Sequence, residues 1–295
     1  MTVPQLRGEM RHDEPMSRHV SWRAGGNAKN YYIPADLDDL SRLLASLPDN
    51  EDILWVGLGS NTLVREAGYD GTVIALQGVL NELQRLDDNC VYAGAGVTGA
   101  KLARFCAKEH LLGAEFFAGI PGLVGGALAM NAGAFGGETW RHVISVETID
   151  RNGDRHKRNA DEYQVGYRSV IGPADEWFTA ATFRFETGDG SAASADIKQL
   201  LARRAESQPM GAASCGSVFT NPEHDHAARL IEASGLKGYR IGGAVVSEKH
   251  ANFIINDNNA SADDIESLIT HIQRTVLEQQ GVELHTEVRI VGEKA

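Results

Sequence analysis

The chain has 295 residues, of which 42 % are hydrophobic and 23 % charged, a composition typical of a globular protein of about two domains. The net charge of −12 argues against nucleic acid as a partner, because nucleic-acid binding needs a basic surface. No stretch approaches the ~18–20 consecutive apolar residues that a membrane span needs, and residues 1–15 lack the apolar core of a secretory signal. We therefore expect a cytoplasmic protein with no nucleic-acid, membrane or obligate protein partner.

The three cysteines, Cys90, Cys106 and Cys215, indicate neither a disulfide framework nor a metal site. Their number is odd and their spacing matches no zinc-binding pattern, so we expect free thiols and no bound metal. Cys215 lies two residues before Ser217 and would be a nucleophile if a base lay beside it. Because no His or Asn partner is evident, we interpret Cys215 as structural.

The first predicted elements are a helix and a strand that opens into a glycine loop. Leucines at helical spacing across residues 37–47, after acidic residues that favour a helix start, predict an amphipathic helix. The apolar run at residues 53–56 predicts a buried strand, and Gly-Leu-Gly-Ser-Asn-Thr follows directly at residues 57–62. Such a loop can present consecutive main-chain N–H groups to a phosphate. A plain tight turn explains the same residues, and both interpretations stay open at this point.

A second strand and glycine loop follow at residues 90–99. The predicted strand at residues 90–93 runs into Gly94-Ala-Gly-Val-Thr-Gly99, and a helix is predicted over residues 100–112. This is a literal G-x-G-x-x-G in strand–turn–helix context, the fingerprint of a dinucleotide-binding Rossmann domain. That fingerprint needs a second strand ending in an acidic residue about 20 positions on, and residues 117–123 contain none. A Rossmann domain is therefore disfavoured.

The most glycine-rich stretch, residues 119–137, has no charged residue and lies in mid-chain. Glycine costs backbone entropy, so this density indicates tight turns or a ligand that approaches the main chain closely. Pro121 fixes its own φ and makes the turn around it rigid. Small residues at 125–127 leave room for a flat ligand. We predict a cofactor-cradling turn, with a glycine-rich surface loop as the alternative.

The middle of the chain predicts a hairpin, a further strand and a domain boundary. Residues 143–149 and 155–158 flank Asp150-Arg-Asn-Gly-Asp154, a strong hairpin signal, and residues 178–186 predict a strand. Residues 188–194 are rich in Gly, Ser and Ala and predict the clearest linker in the sequence. A helix is predicted to follow over residues 195–207.

The C-terminal part predicts a capped helix and a strand. Ser261 and Asp264 form a capping-box-like pair before a helix over residues 262–280, with Gly281 after it. Residues 282–291 alternate between apolar and polar side chains, which predicts a strand with Glu287 on its polar face. A surface strand without a functional role explains this pattern equally well.

Taken together, these segments resemble the UDP-N-acetylenolpyruvoylglucosamine reductases, also called UDP-N-acetylmuramate dehydrogenases, which are flavoenzymes of peptidoglycan synthesis. The resemblance extends from about Trp22 to Gly292, and the order and spacing of the segments make it specific. The matching segments are residues 57–63, 94–97, 119–137, 167–168, 216–222, 230–256 and 286–289.

The resemblance implies an α+β fold with two functional parts. Residues 1–190 would form an FAD-binding half of the vanillyl-alcohol-oxidase type, made of two α+β subdomains with a boundary near residues 78–90. Residues 195–295 would form a C-terminal α+β substrate-binding domain. FAD would be bound non-covalently, with the glycine segments around its pyrophosphate and isoalloxazine. The implied FAD-binding residues are Gly57, Gly59, Ser60, Asn61, Thr62, Gly94, Gly119, Pro121, Gly122, Gly125, Gly126, Asn131 and Ala132.

The implied reaction is the reduction of UDP-N-acetylglucosamine enolpyruvate to UDP-N-acetylmuramate, with NADPH as hydride donor, a step that serves cell-wall biogenesis, cell shape and cell division. Ser217 would be the proton donor, while Arg168 and Glu287 would support the enolpyruvyl group and the charge that develops beside it. A guanidinium can hold a carboxylate bidentately, and an enolate is basic enough to take a proton from a positioned hydroxyl. The implied substrate-binding residues are Tyr167, Asn221, Lys237 and His250.

Some positions depart from the family pattern. The short interval between Arg168 and Ser217 resembles the branch that lacks an inserted, substrate-covering tyrosine loop. Ser169-Val170 stands where Asp-Ser is frequent, Ser207 where some members have lysine, and Thr220 where Lys or Arg is common. These departures bear on substrate affinity, and on the phosphate contact in particular, more than on reaction type.

Two other function classes stay open on the sequence alone. A flavin oxidase of the wider FAD fold would reoxidise rapidly with oxygen and accept an alcohol substrate. A non-catalytic protein that binds flavin or a sugar nucleotide would bind its ligand without turnover.

Overall fold

The computed structural model describes residues 6–294 and confirms the predicted α+β class. Among these residues, none of the helices combines the length and the apolar composition that crossing a bilayer requires. The α-helices are α1 (Leu37–Ser46), α2 (Gly99–Lys108), α3 (Val124–Ala129), α4 (Gly190–Ser207), α5 (Ala227–Ala233) and α6 (Ala262–Gln280). Short 3-10 helices lie at Met16–Arg18, Glu115–Gly119, Thr139–Arg141 and Ala160–Glu162.

The strands are short and are distributed over the whole described range. In chain order they are β1 (Glu9–Pro15), β2 (Asn27–Ile33), β3 (Ile53–Val56), β4 (Thr62–Val64), β5 (Tyr69–Ala75), β6 (Leu83–Arg85), β7 (Cys90–Gly94), β8 (Leu111–Leu112), β9 (Gly133–Ala134), β10 (Gly137–Glu138), β11 (Val143–Asp150), β12 (Arg155–Asn159), β13 (Gln164–Gly166), β14 (Ser169–Ile171), β15 (Glu176–Arg184), β16 (Glu186–Thr187), β17 (Arg240–Ile241), β18 (Ala244–Val246), β19 (Ile254–Asn256) and β20 (Arg289–Val291).

Two sheets are larger than the others. One has the strand order β1-β2-β5-β3 and the other the order β12-β11-β15-β7-β6. The pairings described for the second sheet are antiparallel. The smaller sheets are β10-β9, β13-β14, β16-β8, β17-β18-β19 and β20-β4, and the β20-β4 pairing is parallel.

The chain divides into two compact units that are not consecutive in sequence. Unit 1 contains residues 6–11, Tyr32–Gly57 and Val73–Arg203, and unit 2 contains His12–Tyr31, Leu58–Thr72 and residues 204–294. The division into an FAD-binding part at 1–190 and a substrate-binding part at 195–295 stays a prediction about function.

Each unit has its own hydrophobic core. In unit 1 the strands β7 and β15 pack with α2 around fully buried side chains such as Val91, Leu102 and Phe183. In unit 2 the buried face of α6 packs with Leu63 of β4 and with Phe219. Burial of such side chains is worth roughly 1.5–3 kcal/mol each, so both units are stabilised mainly by their own apolar side chains.

Helix caps confirm several predicted element boundaries. Asp36 accepts a hydrogen bond from Asp39 N at the start of α1, which satisfies one of the free N–H groups of the first turn. Ser261 and Asp264 form the predicted capping box at the start of α6. Gly281 ends that helix with a φ of 70°, the left-handed conformation that glycine adopts at least cost.

Three sequence-based expectations are wrong in detail. The linker predicted at residues 188–194 is largely helix, because α4 begins at Gly190. A Cβ on Gly190 would overlap the Ala107 carbonyl oxygen, so this glycine permits close packing. The helix predicted over 100–112 ends at Lys108, and the strand predicted over 282–291 is regular only at β20.

Candidate functional site

The loop at residues 58–62 of unit 2 directs its carbonyl groups into the protein. In a trans peptide the C=O group and the next N–H group point in opposite directions, so the loop turns those N–H groups away from the unit's interior. N–H groups arranged in this way form a concavity suited to phosphate oxygens. The inward hydrogen bonds run to Leu58 O from Ser21 Oγ (3.4 Å), to Gly59 O from Ser21 N (2.9 Å) and to Asn61 O from Arg289 N (3.0 Å).

Gly59 gives this loop its shape. Its φ is +59°, and a Cβ at this position would overlap the His19 carbonyl oxygen. The His19 ring is itself held on both sides, by Glu14 Oε1 at 2.7 Å and by the Tyr31 hydroxyl at 3.0 Å. The loop is therefore built on a fixed support.

Cys215 also holds the 58–62 loop from inside. Its Sγ lies 3.4 Å from Gly59 O and 3.6 Å from Thr62 O. Burial raises the pKa of the Cys215 thiol to about 12, so the thiol keeps the proton that it donates. The structural interpretation of Cys215 is consistent with this geometry.

The loop that carries G-x-G-x-x-G uses its N–H groups inside unit 1. Gly94 N donates to Glu82 O at 2.9 Å and Gly96 N donates to Leu80 O at 3.0 Å. A Cβ on Gly96 would overlap the Val79 carbonyl oxygen. These glycines permit close approach of two main chains, and the predicted contact of Gly94 with FAD has no support from its N–H group.

The glycine-rich stretch 119–137 packs against that loop. Val124 N donates to Val97 O (2.8 Å) and Gly125 N donates to Ala95 O (2.9 Å). Gly126 has nothing within 4 Å of an added Cβ among the described residues, so its face has space for a ligand. The other predicted contacts lie close by in unit 1: Gly57 packs on the Leu123 side chain, Gly119 on the Phe135 ring, and Gly122 O accepts from Gly99 N, next to Pro121.

Asn131 and Ala132 are buried at the end of this stretch. The Asn131 side chain donates to Gly166 O at 3.0 Å and accepts from Trp140 N at 3.1 Å. Ala132 O accepts from the Thr139 hydroxyl at 2.7 Å. The side-chain amide of Asn131 is thus engaged within the protein.

Arg168 lies at the turn of the β13–β14 hairpin with a φ of 53°. Its guanidinium donates to Gly133 O at 2.9 Å and to Asn131 O at 3.4 Å, and lies over the Tyr167 ring at 5.4 Å. A positive φ at a non-glycine residue is uncommon and is enriched at functional sites. Tyr167 is 54 % exposed, so the predicted substrate residue of this hairpin is accessible.

The segment that follows Ser217 is paired with the segment around Glu287 in unit 2 by main-chain hydrogen bonds. Glu287 N donates to Val218 O at 2.8 Å, and Phe219 bridges Thr286 in an antiparallel pair. Asn61 Nδ2 donates to Glu287 O at 3.1 Å. Asn61, predicted to bind FAD, therefore also links the 58–62 loop to Glu287.

The remaining predicted substrate residues lie in the same unit. Asn221 Oδ1 accepts from Ala227 N at 3.1 Å, at the start of α5. Burial and, to a smaller degree, the positive charge of Lys237 lower the pKa of His250. The Nδ1 atom of His250 accepts from Asn252 N at 3.3 Å, which leaves Nε2 as the position of the proton in the neutral ring.

Sequence reasoning missed Asn252, which holds the segment after Ser217, and Asn131 as a support of Arg168. Asn252 stands in the apolar run Ala251-Asn252-Phe253 and is only 4 % exposed. A buried amide needs hydrogen-bond partners. The only available signal was a polar residue within that apolar run, and it does not identify the partner.

Comparisons with known proteins cover both parts of the chain. Residues 28–158 match the model of an FAD binding domain, and residues 208–291 match the C-terminal domain of UDP-N-acetylenolpyruvoylglucosamine reductase. The reductase of that name from Alkalilimnicola ehrlichii is 57 % identical over 97 % of this chain and 96 % of its own. The one from Nitrosococcus oceani is 55 % identical, with 100 % and 99 % covered. The crystal structure of UDP-N-acetylenolpyruvylglucosamine reductase from Thermus caldophilus has a TM-score of 0.81 at 29 % identity, with 97 % and 99 % covered.

Proposed function

The chain belongs to the UDP-N-acetylenolpyruvoylglucosamine reductase family, and from this premise we propose that it reduces UDP-N-acetylglucosamine enolpyruvate to UDP-N-acetylmuramate in the cytoplasm. It is a flavin-dependent oxidoreductase of peptidoglycan precursor synthesis, with FAD as cofactor and NADPH as hydride donor. The observation that supports the residue assignment is the main-chain pairing that sets Glu287 beside the segment after Ser217. We expect no nucleic acid, membrane or second protein chain to take part.

The residues that would hold FAD are the glycine segments. In unit 2 the N–H groups of the 58–62 loop would bind the pyrophosphate, because the carbonyl groups of the loop are bonded inward. In unit 1 the face of Gly126 has space beside it. Bound FAD would supply the two-electron hydride chemistry that links NADPH to C3 of the enolpyruvyl ether.

Ser217 would supply the proton. As C3 receives a hydride, the electron pair of the C2=C3 bond moves to C2 and into the carboxylate. The Ser217 hydroxyl then gives its proton to C2, the C2–H bond forms, and the serine oxygen regains a proton from solvent. A positioned general acid of this kind contributes roughly 10²–10⁴-fold.

Arg168 and Glu287 would support the enolpyruvyl group. The Arg168 guanidinium would hold the substrate carboxylate and stabilise the charge that it gains in the transition state. Its hydrogen bonds to Gly133 O and Asn131 O fix the plane of the guanidinium. Tyr167, Asn221, Lys237 and His250 would bind the remainder of the UDP-sugar, Lys237 through its charge and His250 through its Nε2–H.

The decisive experiment separates the two half-reactions in Ser217→Ala under anaerobic stopped flow. Reduction by NADPH needs no proton from Ser217, so the variant should bleach at the wild-type rate. Reoxidation by UDP-N-acetylglucosamine enolpyruvate should slow by roughly 10²–10⁴-fold, and Ser217→Cys should recover part of the rate. Ser214→Ala, a half-buried serine of the same segment, is the matched control and should change neither step.

The alternatives give different results in the same apparatus. A flavin oxidase would reoxidise rapidly with oxygen and ignore the enolpyruvyl substrate. A binding protein would show no turnover with oxygen or with the enolpyruvyl substrate. An unchanged reoxidation rate in Ser217→Ala would exclude Ser217 as the general acid, but it would not contradict the proposed overall reaction.

Arg168→Lys tests the carboxylate contact. A lysine ammonium cannot reproduce the planar fork of arginine, so we expect turnover of the enolpyruvyl substrate to fall far more than flavin content. Flavin content is measured from absorbance and turnover from NADPH consumption. Parallel loss of flavin and turnover would make Arg168 a folding residue.

Non-covalent binding of FAD is tested by acid precipitation of the purified protein. The flavin absorbance should appear in the supernatant, because no residue that could link the flavin covalently is evident. A colourless native protein, or flavin that stays in the pellet, would contradict this assignment.

A further inference from the structure

The two residues after the proposed proton donor are held by one buried asparagine. Asn252 Oδ1 accepts from Phe219 N at 3.0 Å, and its Nδ2 donates to Phe219 O at 2.8 Å. The main-chain oxygen of Asn252 accepts from Val218 N at 2.8 Å. Three hydrogen bonds from one residue thus hold Val218 and Phe219, the two residues that follow Ser217.

Glu287 holds the same segment from its other side. Val218 O accepts from Glu287 N at 2.8 Å and from Val288 N at 3.3 Å. The Val218 residue is therefore bonded through its N–H to Asn252 and through its C=O to Glu287. The distance between Ser217 and Glu287 depends on this pairing.

Cys215 is buried and bonded to the 58–62 loop, but Gly216, directly before Ser217, has no side chain to pack. Gly216 has a φ of 72°, and within the described part of the chain nothing lies within 4 Å of a Cβ added to it. Val218 and Phe219 are 0 % and 1 % exposed. Because Gly216 contributes no packing, the side-chain restraint directly beside Ser217 lies on its C-terminal side, where Asn252 is bonded.

We propose that Asn252 is a positioning residue for proton transfer, which holds the Ser217 hydroxyl in register with Glu287 without touching the substrate. This inference rests on the proposed function. A general acid must lie within about 2.6–3.2 Å of its target, directly or through one water. A displacement of about 1 Å can cost on the order of 10²-fold in rate, so loss of these bonds should slow protonation at C2.

Asn252→Asp is the sharpest variant because it keeps the size and shape of the side chain. The introduced carboxyl still accepts from Phe219 N, but its second oxygen faces Phe219 O and cannot donate when ionised. When protonated, it regains a donor for Phe219 O. Burial raises the pKa of such a carboxyl, so the defect should shrink as the pH is lowered.

Asn256→Asp is the matched control in the same unit. Asn256 also uses both ends of its amide, with Nδ2 donating to Trp22 O at 2.8 Å and Oδ1 accepting from Ala260 N at 2.7 Å. Its side chain makes no hydrogen bond to residues 217–219 in the described structure. Asn256 is half-buried, so this variant reports the cost of a carboxyl in a partly buried amide site that leaves the proton donor in place.

The test compares wild type, Ser217→Ala, Asn252→Asp and Asn256→Asp, each loaded with FAD, in both half-reactions. For Asn252→Asp we expect NADPH reduction within about twofold of wild type and substrate reoxidation slower by about 10–100-fold. Its reoxidation should show a larger solvent deuterium isotope effect and should recover at lower pH. Asn252→Ala should show the same slow step without recovery, because it has no titrating group.

The outcomes distinguish this inference from the function on which it rests. A wild-type protein that the enolpyruvyl substrate does not reoxidise would overturn both. Two other results would overturn only the role of Asn252, provided that wild type and Ser217→Ala behave as expected. One is equal slowing of both half-reactions in Asn252→Asp. The other is a reoxidation rate in Asn252→Asp that equals the rate in Asn256→Asp. Failure of Asn252→Asp to fold while Asn256→Asp folds would also overturn it, because Asn252 would then be required for the fold itself.

Discussion

Two glycine loops of this molecule follow buried strands and use their main chains in opposite ways. The loop after β7, in unit 1, donates its N–H groups to neighbouring carbonyl groups, as Gly94 and Gly96 show. The loop after β3 continues into unit 2 and there bonds its carbonyl groups inward, at Gly59 and Asn61 among others. The 94–99 loop matches a phosphate-binding motif in its sequence alone. The 58–62 loop has the main-chain orientation that phosphate binding needs.

The difference shows that glycine spacing alone does not identify a phosphate site. In the 94–99 loop glycine is required because carbonyl oxygens lie where side chains would be. In the 58–62 loop Gly59 is required because its φ is positive as well as because the His19 carbonyl oxygen lies where a side chain would be. Replacing glycine should therefore damage stability in the first loop and cofactor binding in the second.

Gly96→Ala should have the largest effect on stability. The added Cβ would overlap Val79 O and lie 2.8 Å from Leu76 O, and main-chain atoms cannot move aside as a side chain can. Overpacking costs about 1–3 kcal/mol, and occasionally more, so we expect the free energy of unfolding to fall by roughly 3 kcal/mol. Urea unfolding of the flavin-free protein measures it. Loss of flavin at unchanged stability would show that this loop is a cofactor loop after all.

Gly59→Ala should weaken FAD binding most. A left-handed conformation costs a non-glycine residue about 1–2 kcal/mol, and relief of the overlap with His19 O would turn the loop. We expect the Kd for FAD to rise about 10–100-fold, with a smaller loss of unfolding free energy than in Gly96→Ala. Quenching of flavin fluorescence measures the Kd. Unchanged affinity would remove the 58–62 loop from the cofactor site.

Cys215→Ala should have a moderate effect with a characteristic pH dependence. It removes the donor to Gly59 O and Thr62 O, worth about 1 kcal/mol. Burial raises the folded pKa of the thiol from 9.0 to about 12, so its contribution is complete below pH 9 and is lost as the pH rises toward 12.

The measurement for Cys215→Ala is the free energy of unfolding between pH 8 and pH 11. The decline above about pH 9 should be shallower in the variant than in wild type. Cys106 is the matched control, because burial also raises the pKa of its thiol to about 12. Cys106→Ala should make the decline of the unfolding free energy with pH shallower and leave FAD binding unchanged. Identical slopes for wild type and Cys215→Ala would contradict the assignment.

Gly126→Ala should have the smallest effect on the fold. Nothing in the described structure lies within 4 Å of the added Cβ, and alanine favours a helix over glycine by roughly 0.5–1 kcal/mol. The flavin-free protein should therefore gain a little stability, measured as a rise in Tm. If FAD lies on this face, its Kd should rise while Tm does not fall. An unchanged Kd would place FAD elsewhere.

Local signals in the sequence predicted the elements that local interactions determine. The apolar run at Ile53–Val56 forms β3 as predicted, and Ser261 caps α6 as predicted. Both depend on residues within four positions of each other. The family resemblance supplied the fold class and the reaction in the same way, from segments that are contiguous in the chain.

Long-range hydrogen bonds could not be predicted from such signals. Asn61 bonds to Glu287 across 226 residues, and Asn252 bonds to Phe219 across 33. A main-chain donor or acceptor is present whatever the residue type, so these pairings leave no pattern in the sequence. The linker predicted at 188–194 failed for a related reason, since its glycine serves a contact with Ala107 that the sequence does not reveal.

The parallel pairing of β4 with β20 has a consequence for synthesis on the ribosome. Thr62–Val64 is made first, and its partner Arg289–Val291 is made only after all the residues between them. With 226 residues between Asn61 and Glu287, translation at ~5–20 residues per second delays the pairing by roughly 10–45 s. During that interval the nascent chain exposes an unpaired β4 with the apolar Leu63 and Val64. Unit 2, and with it the loop that carries Gly59, can be completed only after Arg289–Val291 has been made.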